Sequence, residues 1–392
     1  MSLSGKAAII GVGASSFERR PDASVLEMAG AALTNALADA GLEKEALDGL
    51  AVQIGSPRGA DYDTIAQTFG LNPRWCTQTW PHGRFTATIL TQAAMAVATG
   101  LATRVACLLA MKNSDIGRIG EKDNPFFFEM FRENGGPHGE EGAIGMSSPV
   151  AGAAMALALY CDRYKADREL LAEIPLTFRR HAQRTPDAVA REPLTLEAYR
   201  NARAIIDPIR LYDCSLVGDG AVCVIVSARE QAATARKPVW ITGAQGVQAG
   251  RDTFIFAPRG LGMAQQSGTR LTQAQARAQL AYAMAGITPD SVDVLGVYDS
   301  FSPLALYTLE DFGFCPPGEG LDWIQDGRLD LGGDLPTNTN GGQLSHAQVN
   351  GWGQVRELVQ QLRGEATGRQ VPDAKVGLWA TIGGDALVLE RA

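Results

Sequence analysis

Short apolar segments alternate with alanine- and leucine-rich segments along much of the chain. The segment AAIIGVG near the start is typical of a buried strand, and MAGAALTNALADA after it has the composition of a helix. The same order returns later, where PVWITGAQ precedes QARAQLAYAMA. Apolar strands that alternate with helices indicate layered α/β packing around mostly buried sheets.

The two parts of the chain also share an internal echo. Residues 40–52 read AGLEKEALDGLAV and residues 285–297 read AGITPDSVDVLGV, aligned without a gap. The identical pairs are Ala40 and Ala285, Gly41 and Gly286, Asp48 and Asp293, Leu50 and Leu295, and Val52 and Val297. Each copy has glycine after a helical segment, where a helix C-cap favours a left-handed residue. Chance recurrence of Ala-Gly turns is the alternative, but the equal spacing and flanking order favour duplication.

The duplication predicts two halves, 1–230 and 236–392, joined by a polar linker. Residues 112–205 interrupt the pattern of the first half with a Gly/Pro/Phe-rich loop, DNPFFFEMFRENGGPHGEEG, and polar helical segments. We expect this excursion to cover the active-site face, because long loops of this kind usually carry function. The loop contains four phenylalanines that suit a bulky apolar group: Phe126, Phe127, Phe128 and Phe131.

The composition argues against several classes of function. The chain has 392 residues and a net charge of −8, which disfavours nucleic-acid binding because phosphate contacts need clustered Lys and Arg. It has no apolar run of about 18 residues and no signal-peptide pattern, so we expect neither a membrane span nor secretion. The six cysteines lack the spacing of a zinc site or a disulfide framework, which favours a reducing cytoplasm and no bound metal.

Several motifs resemble the thiolase superfamily, in its sterol-carrier-protein-X branch. They are DPIRLYDCSLVGDGAVCVIV, VYDSF, GFCPPGEG, LPTNTNGGQLS and the terminal IGGDALVLER, and their order covers essentially the whole chain. The resemblance implies the thiolase fold, with two duplicated αβαβα halves and a loop and helical excursion in the first. It also implies a coenzyme A thioester as substrate and no tightly bound cofactor.

The catalytic residues of a true thiolase are missing from this pattern. A thiolase needs a nucleophilic cysteine at a helix N-terminus, a second cysteine, and His and Asn for activation and oxyanion binding. In the family register, the nucleophile position falls on Gly83 and the histidine position on Gln348. The Asn motif falls on the segment that begins at Tyr298, and the second cysteine on Thr381. We therefore expect no Claisen chemistry through an acyl-cysteine.

The lipid-transfer-protein-type aldolases, which are close relatives of this branch, also lack the thiolase cysteine. They place a tyrosine in a Tyr-Asp-x-Phe motif, which Tyr298 matches. Asp299 is a further catalytic candidate, although alternation along a regular strand points it to the opposite face. The position of a second family tyrosine falls on Gln348, which is a catalytic candidate by position but departs from the two-tyrosine pattern. The nearby His346 is the candidate to substitute for that tyrosine.

Substrate contacts are predicted around the vacant nucleophile position, at His82 and Gly83. Gly342, Gly383 and Gly384 are expected to let the backbone approach the thioester, although tight turns alone also explain them. A basic cluster at helical spacing predicts a solvated helix face, with binding of CoA phosphates as the alternative. Its members are Arg179, Arg180, His181 and Arg184.

The leading prediction is an acyl-CoA carbon–carbon lyase that cleaves a 3-hydroxyacyl-CoA to acetyl- or propionyl-CoA and a ketone or aldehyde. The alternative is a non-catalytic or partner-dependent subunit of a heteromeric thiolase or acetyl-CoA acetyltransferase. A third hypothesis keeps Claisen activity through a displaced cysteine such as Cys76. By resemblance, we expect a homodimer and a small OB-fold, zinc-ribbon acyl-CoA-binding partner.

Overall fold

The computed structural model describes residues 2–55, 59–80, 82–116, 149–246, 280–382 and 384–392. Gly383 and the phenylalanine-rich loop lie outside these residues. The strands are β1 (Ala7–Ala14), β2 (Gly49–Gln53), β3 (Trp75–Thr79), β4 (Arg104–Met111), β5 (Ala204–Ile206), β6 (Ile209–Arg210), β7 (Gly220–Ala228), β8 (Val239–Gln245), β9 (Val294–Val297), β10 (Val376–Ala380) and β11 (Ala386–Arg391). The prediction of an α/β fold is confirmed.

Nine of these strands form one mixed sheet, in the order β3-β2-β4-β7-β1-β8-β11-β10-β9. In the first part, β2 runs parallel to β3 and β4, and β7 runs antiparallel to both β4 and β1. In the second part, β9 runs parallel to β10, and β11 runs antiparallel to both β10 and β8. The two parts meet where β1 pairs with β8. Their strand orders correspond, whereas the boundary at residues 230–236 remains a prediction.

The helices are α1 (Val25–Ala40), α2 (Tyr62–Phe69), α3 (Thr86–Ala98), α4 (Pro149–Tyr164), α5 (Glu173–Gln183), α6 (Leu196–Arg200), α7 (Arg229–Ala232), α8 (Ser302–Asp311), α9 (Gly320–Trp323) and α10 (Trp352–Arg363). Residues 280–285 are also helical. The helix before each copy of the echo ends at a left-handed glycine, Gly41 with φ 64° and Gly286 with φ 74°. These glycines take the conformation that the sequence pattern predicts.

The buried apolar residues form three clusters that define the layers. The central cluster contains side chains of α3 and α10, together with one face of the strands from both parts. A second cluster joins α1 to the other face of β2 and β4, and a third joins α8 to β9 and β10. Because fully burying a large apolar side chain stabilises the fold by roughly 1.5–3 kcal/mol, the central layer is a firm support for the start of α3.

None of the helices in the described part of the chain has the length and apolar character that a membrane crossing requires.

Candidate active site

The candidate site lies where several strands end. The loop that carries His82 and Gly83 follows β3 and leads into α3, whereas Tyr298 follows β9. The segment 381–385 joins β10 to β11, and residues 341–350 precede α10. Because the carboxyl ends of neighbouring parallel strands meet at one edge, the topology gathers polar side chains that are far apart in the sequence.

Tyr298 packs directly against the vacant nucleophile position. A methyl group added at Gly83 would lie 2.0 Å from Cε2 and 2.2 Å from Cδ2 of Tyr298. Real Cβ atoms essentially never come so close to another heavy atom, so position 83 cannot carry a side chain while the tyrosine ring keeps this place. The tyrosine ring therefore takes up the space that a cysteine side chain at position 83 would need.

The Tyr298 phenol is buried, with 6% of the residue exposed. Burial raises its pKa to about 12 and the charge of Asp299 adds to the rise, against hydrogen bonds with the Ser300 side chain and the Gly83 backbone. The phenol is therefore protonated at neutral pH. In the free protein it is a hydrogen-bond donor rather than a base.

Asp299 faces away from this contact and organises the loop before α10. Its Oδ1 accepts hydrogen bonds from the Gln343 backbone N–H at 2.9 Å and from Gln354 Nε2 at 2.8 Å. Its Oδ2 accepts one from the Leu344 N–H at 3.2 Å. Burial raises the pKa of Asp299 to about 7, although these hydrogen bonds oppose the rise. The carboxylate therefore positions the loop, and its oxygens already have donors.

His82 lies beside Tyr298, with ring centroids 5.3 Å apart and ring planes inclined by 54°. Its backbone is held by Gln53, whose Nε2 donates to the carbonyl oxygens of His82 at 2.7 Å and Trp80 at 3.1 Å. Gln53 Oε1 in turn accepts from Trp352 Nε1 at 2.5 Å. The side-chain amide of Gln53 is fully buried, and it links the loop that carries His82 to β2 and α10.

The first turn of α3 is capped by a carboxylate from the other end of the chain. Asp385 Oδ2 accepts from the Ala87 N–H at 2.7 Å, and Oδ1 accepts from the Thr88 hydroxyl at 2.6 Å. Burial raises the pKa of Asp385 to about 8, against these hydrogen bonds. In a thiolase, this helix end would stabilise a thiolate. Here a carboxyl group already takes two of its donors.

The candidates in the loop before α10 lie in different surroundings. His346 is buried, and its Nε2 lies 3.4 Å from Asp187 Oδ1, which places this nitrogen in an ion-pair cluster with Arg356. Gln348 is half-buried, and its carbonyl accepts from Asn113 Nδ2 at 2.8 Å. The contacts of His346 thus tie the loop to residues 185–190, and none of them involves Tyr298.

The two other candidate glycines that the structure describes are each explained by their local backbone conformation. Gly342 has φ +61°, and a Cβ there would lie 2.0 Å from Asp299 Oδ2. Gly384 has φ +96° and lies in the turn between β10 and β11. Each takes a conformation that favours glycine. Approach of the backbone to a thioester remains a prediction for both positions.

The prediction of a solvated basic helix face was wrong for two of its members. Arg179 and His181 on α5 are buried. The Arg179 guanidinium donates to Ser345 Oγ at 2.9 Å and to the Glu192 carbonyl at 3.0 Å. Arg180 pairs with Glu173 and Asp330. The helix packs inside the protein, so its basic side chains join it to neighbouring loops.

Four further residues complete the site, and three of them lie outside any recognisable family motif. Gln53, Trp352, Gln354 and Asp385 hold the loops around Tyr298, yet each is an isolated polar or aromatic residue in the sequence. Only Asp385 stood within a segment that resembled a family motif. Among the described residues, no group of three or more His, Cys, Asp or Glu side chains could hold a metal ion.

Comparison with known proteins places these features in context. A family model described as thiolase C-terminal domain-like matches residues 260–387. The chain is 34% identical to a 17-hydroxy-3-oxo-4-pregnene-20-carboxyl-CoA lyase of Mycobacterium tuberculosis, over 92% of both chains. It is 30% identical to an acetyl-CoA acetyltransferase of Methanothermobacter thermautotrophicus, over 96% of both.

A solved structure described as an Ltp2-ChsH2(DUF35) aldolase is similar over the whole chain. The alignment has a TM-score of 0.86 and 30% identity, and it covers 100% of this chain and 99% of that one. The similarity thus extends across both parts of the sheet, including the segments that carry Gly83 and Tyr298.

Proposed function

Since this chain belongs to the thiolase superfamily, in its sterol-carrier-type aldolase branch, and is an acyl-CoA lyase, we propose that it performs a retro-aldol cleavage. The substrate is a 3-hydroxyacyl-CoA, and the products are acetyl- or propionyl-CoA and a ketone or aldehyde. The lyase from Mycobacterium tuberculosis is named for a steroid CoA thioester. A steroid or another bulky acyl group is therefore the substrate class that we propose here.

This reaction needs no acyl-enzyme. A base takes the proton of the 3-hydroxyl group, the bond between C2 and C3 breaks, and C3 becomes a carbonyl carbon. The electron pair passes to C2 and the thioester oxygen as an enolate, which hydrogen-bond donors stabilise. Protonation of C2 completes the acyl-CoA product. A protonated phenol such as that of Tyr298 is suited to donate to the enolate oxygen.

The contact between Gly83 and Tyr298 is the observation that carries the proposal. A thiolase needs a sulfur at the start of α3, and the ring of Tyr298 already lies where that side chain would be. The same contact brings a hydroxyl donor to the position that covalent chemistry would otherwise use. This combination favours cleavage without a covalent intermediate.

The cysteines support the same conclusion. Burial raises the thiol pKa of Cys76, Cys107, Cys161, Cys214 and Cys223. A catalytic cysteine needs the opposite shift, because the thiolate is the nucleophile. Cys76 is exposed on β3, and the nearby Asp63 raises its pKa further. Claisen activity through Cys76 is therefore disfavoured.

We expect the protein to act as a homodimer. In the described part of the sheet, β3 is a terminal strand, and exposed apolar side chains lie after it and on α3. Trp80 is 64% exposed and Met95 53% exposed. An edge strand flanked by exposed apolar side chains favours pairing with another chain. A second copy of this chain would cover both features.

A small acyl-CoA-binding partner is also part of the proposal. The similar aldolase structure is described with a DUF35 component, which supports a partner of the OB-fold, zinc-ribbon type. We place the complex in the cytoplasm, since the six cysteines are all unpaired. The coenzyme A thioester enters as substrate.

Activity of the purified chain and of Tyr298→Phe tests the function. The wild-type protein should cleave a 3-hydroxyacyl-CoA, such as a 17-hydroxy steroid CoA thioester, without added free CoA. Tyr298→Phe should lower kcat by about 10²-fold or more, because it removes a donor to the developing oxyanion. Tyr62→Phe, a half-buried tyrosine on α2, is the matched control and should keep the rate. Equal rates for all three proteins would remove Tyr298 from the mechanism.

A partner-dependent subunit of a heteromeric thiolase is the second candidate. Gln348 and Thr381 favour it, because neither residue can transfer protons as the thiolase histidine and cysteine do. This candidate predicts no cleavage by the chain alone, and thiolysis only when a cysteine-bearing partner and free CoA are added. Cleavage by the isolated chain, unaffected by iodoacetamide, would rule it out.

A further inference from the structure

The proposed reaction needs an acceptor for the hydroxyl proton, and two nearby side chains are poorly suited to this role. Tyr298 is buried and its pKa is raised to about 12, so it holds its own proton at neutral pH. Asp299 accepts hydrogen bonds from two backbone N–H groups and from Gln354, which turns its oxygens toward the loop before α10. The acceptor must therefore come from another element.

His82 is in the right place to be that acceptor. It precedes Gly83, its ring lies 5.3 Å from the Tyr298 ring, and it is half-buried, so that a ligand can reach it. An imidazole and a phenol at this distance lie close enough to act on the two ends of one short reacting group. His82 thus comes from the β3 side of the site and Tyr298 from the β9 side.

The backbone around His82 is held by several hydrogen bonds. Gln53 Nε2 donates to the His82 carbonyl at 2.7 Å, and the Phe85 N–H donates to the same oxygen at 3.0 Å. The His82 N–H donates to the Trp80 carbonyl at 2.9 Å. Catalytic side chains need fixed support of this kind, because a small displacement lowers the rate strongly.

We propose that His82 is the general base of the retro-aldol cleavage and that Tyr298 is the donor to the thioester enolate. This assignment rests on the proposed function. The neutral imidazole takes the proton of the 3-hydroxyl group as the bond between C2 and C3 breaks. The imidazolium then returns that proton to C2, which gives the acyl-CoA product. Protons and electrons balance within the substrate and these two side chains.

Among the described residues, three carboxyl or phenol groups belong to this pair or lie near it. Tyr298 and Asp299 come from the end of β9, and Asp385 comes from the start of β11 against the first turn of α3. A general base acts in its unprotonated form, so the pH dependence of the rate should include a contribution that is lost with the His82 side chain.

The test compares wild-type protein with His82→Gln across a range of pH. The His82→Gln variant should lower kcat by about 10²-fold or more, the range expected for loss of a general base, with a smaller change in KM. It should also lose the contribution of His82 to the pH dependence of the rate, and added imidazole should restore part of the rate. A melting curve like that of the wild type will show that the fold is intact.

Gln53→Leu separates positioning from catalysis. Gln53 holds the loop but contributes no reacting proton, so this variant should lower kcat while the pH dependence keeps its position and shape. If wild-type protein cleaves substrate and His82→Gln keeps both the rate and the pH dependence, His82 is not the base, although the function stands. If wild-type protein cleaves no 3-hydroxyacyl-CoA, the function itself fails and the assignment with it.

Discussion

At the scale of single residues, the missing cysteine at position 83 and the tyrosine at position 298 depend on each other. Tyr298 fits only because position 83 has no side chain, and Gly83 is covered because the ring lies against it. The packing of Gly83 and the packing of Tyr298 are therefore coupled. A substitution at either position alters the surroundings of the other.

Gly83→Ala should destabilise the protein by about 1–3 kcal/mol, the usual cost of overpacking a filled site, and should remove most activity. In a Tyr298→Ala background the ring is gone, so the same substitution should cost much less. Urea unfolding of the four proteins of this cycle gives the coupling energy. Gly332→Ala is the matched control, because a Cβ there meets no atom within 4 Å. Additive effects at positions 83 and 298 would contradict the contact.

The sequence predicted some of these residue roles and missed others. Family motifs identified Gly83 and Tyr298 separately, and alternation along the strand indicated that Asp299 faces the other way. The contact between Gly83 and Tyr298 was not predictable, because it joins two loops from different halves of the chain. The support of His82 by Gln53 was also hidden, since a single glutamine at a strand end has no distinctive pattern.

At the scale of secondary-structure elements, aspartate carboxylates fix where helices and strands begin. Asp48 accepts from the N–H groups of Thr103 and Arg104 at the start of β4. Asp293 does the same for Lys375 and Val376 at the start of β10. The internal echo matched these two aspartates to each other. A repeated sequence position thus corresponds to a repeated hydrogen-bonding role.

Asp385 gives a prediction for pH dependence. Folding raises its pKa from 3.8 to about 8, so its stabilising contribution is complete below pH 4 and is lost as the pH rises toward 8. The free energy of unfolding should fall across this window, by about 1.4 kcal/mol for each unit of the shift. Asp385→Asn should reduce the fall, as urea unfolding at pH 5 and pH 8 will show.

A part of that pH dependence should remain in the Asp385→Asn variant, because Asp299 has a pKa of about 7 and titrates in the same window. An unchanged slope in the variant would mean that Asp385 folds without a raised pKa.

The elements themselves were largely predictable from the sequence. Glycines at helix ends, followed by short apolar strands, indicated α1, β2 and β9, because local hydrogen bonding and burial determine these patterns. The burial of α5 was not predictable. Its basic residues have the spacing of a surface helix. The residues that bury Arg179 and His181 come from other parts of the fold.

At the scale of the whole molecule, the exposed edge at β3 is the surface through which we expect two copies to associate. The strand offers unpaired backbone groups in the described sheet, and Met95 and Leu101 on the neighbouring helix and loop are more than half exposed. Natural proteins seldom leave such an edge uncovered. The prediction of a homodimer depends on this surface.

Replacing Met95 with lysine should shift a dimer toward the 41.6 kDa monomer, because a charge would have to be buried in the interface. Light scattering coupled to size-exclusion chromatography measures the mass. Leu196→Lys changes another exposed apolar residue, on α6, and should leave the mass unchanged. A monomeric wild-type protein, or a dimer that tolerates the Met95 substitution, would place the interface elsewhere or exclude it.

The cap on α3 also has a consequence for the order in which the chain is made. The loop with His82 emerges early from the ribosome, but its supports are Trp352 and Asp385, which emerge late. A nascent chain that has not yet reached Asp385 therefore lacks part of the support of the candidate site. We therefore expect the candidate site to form only after synthesis has passed residue 385.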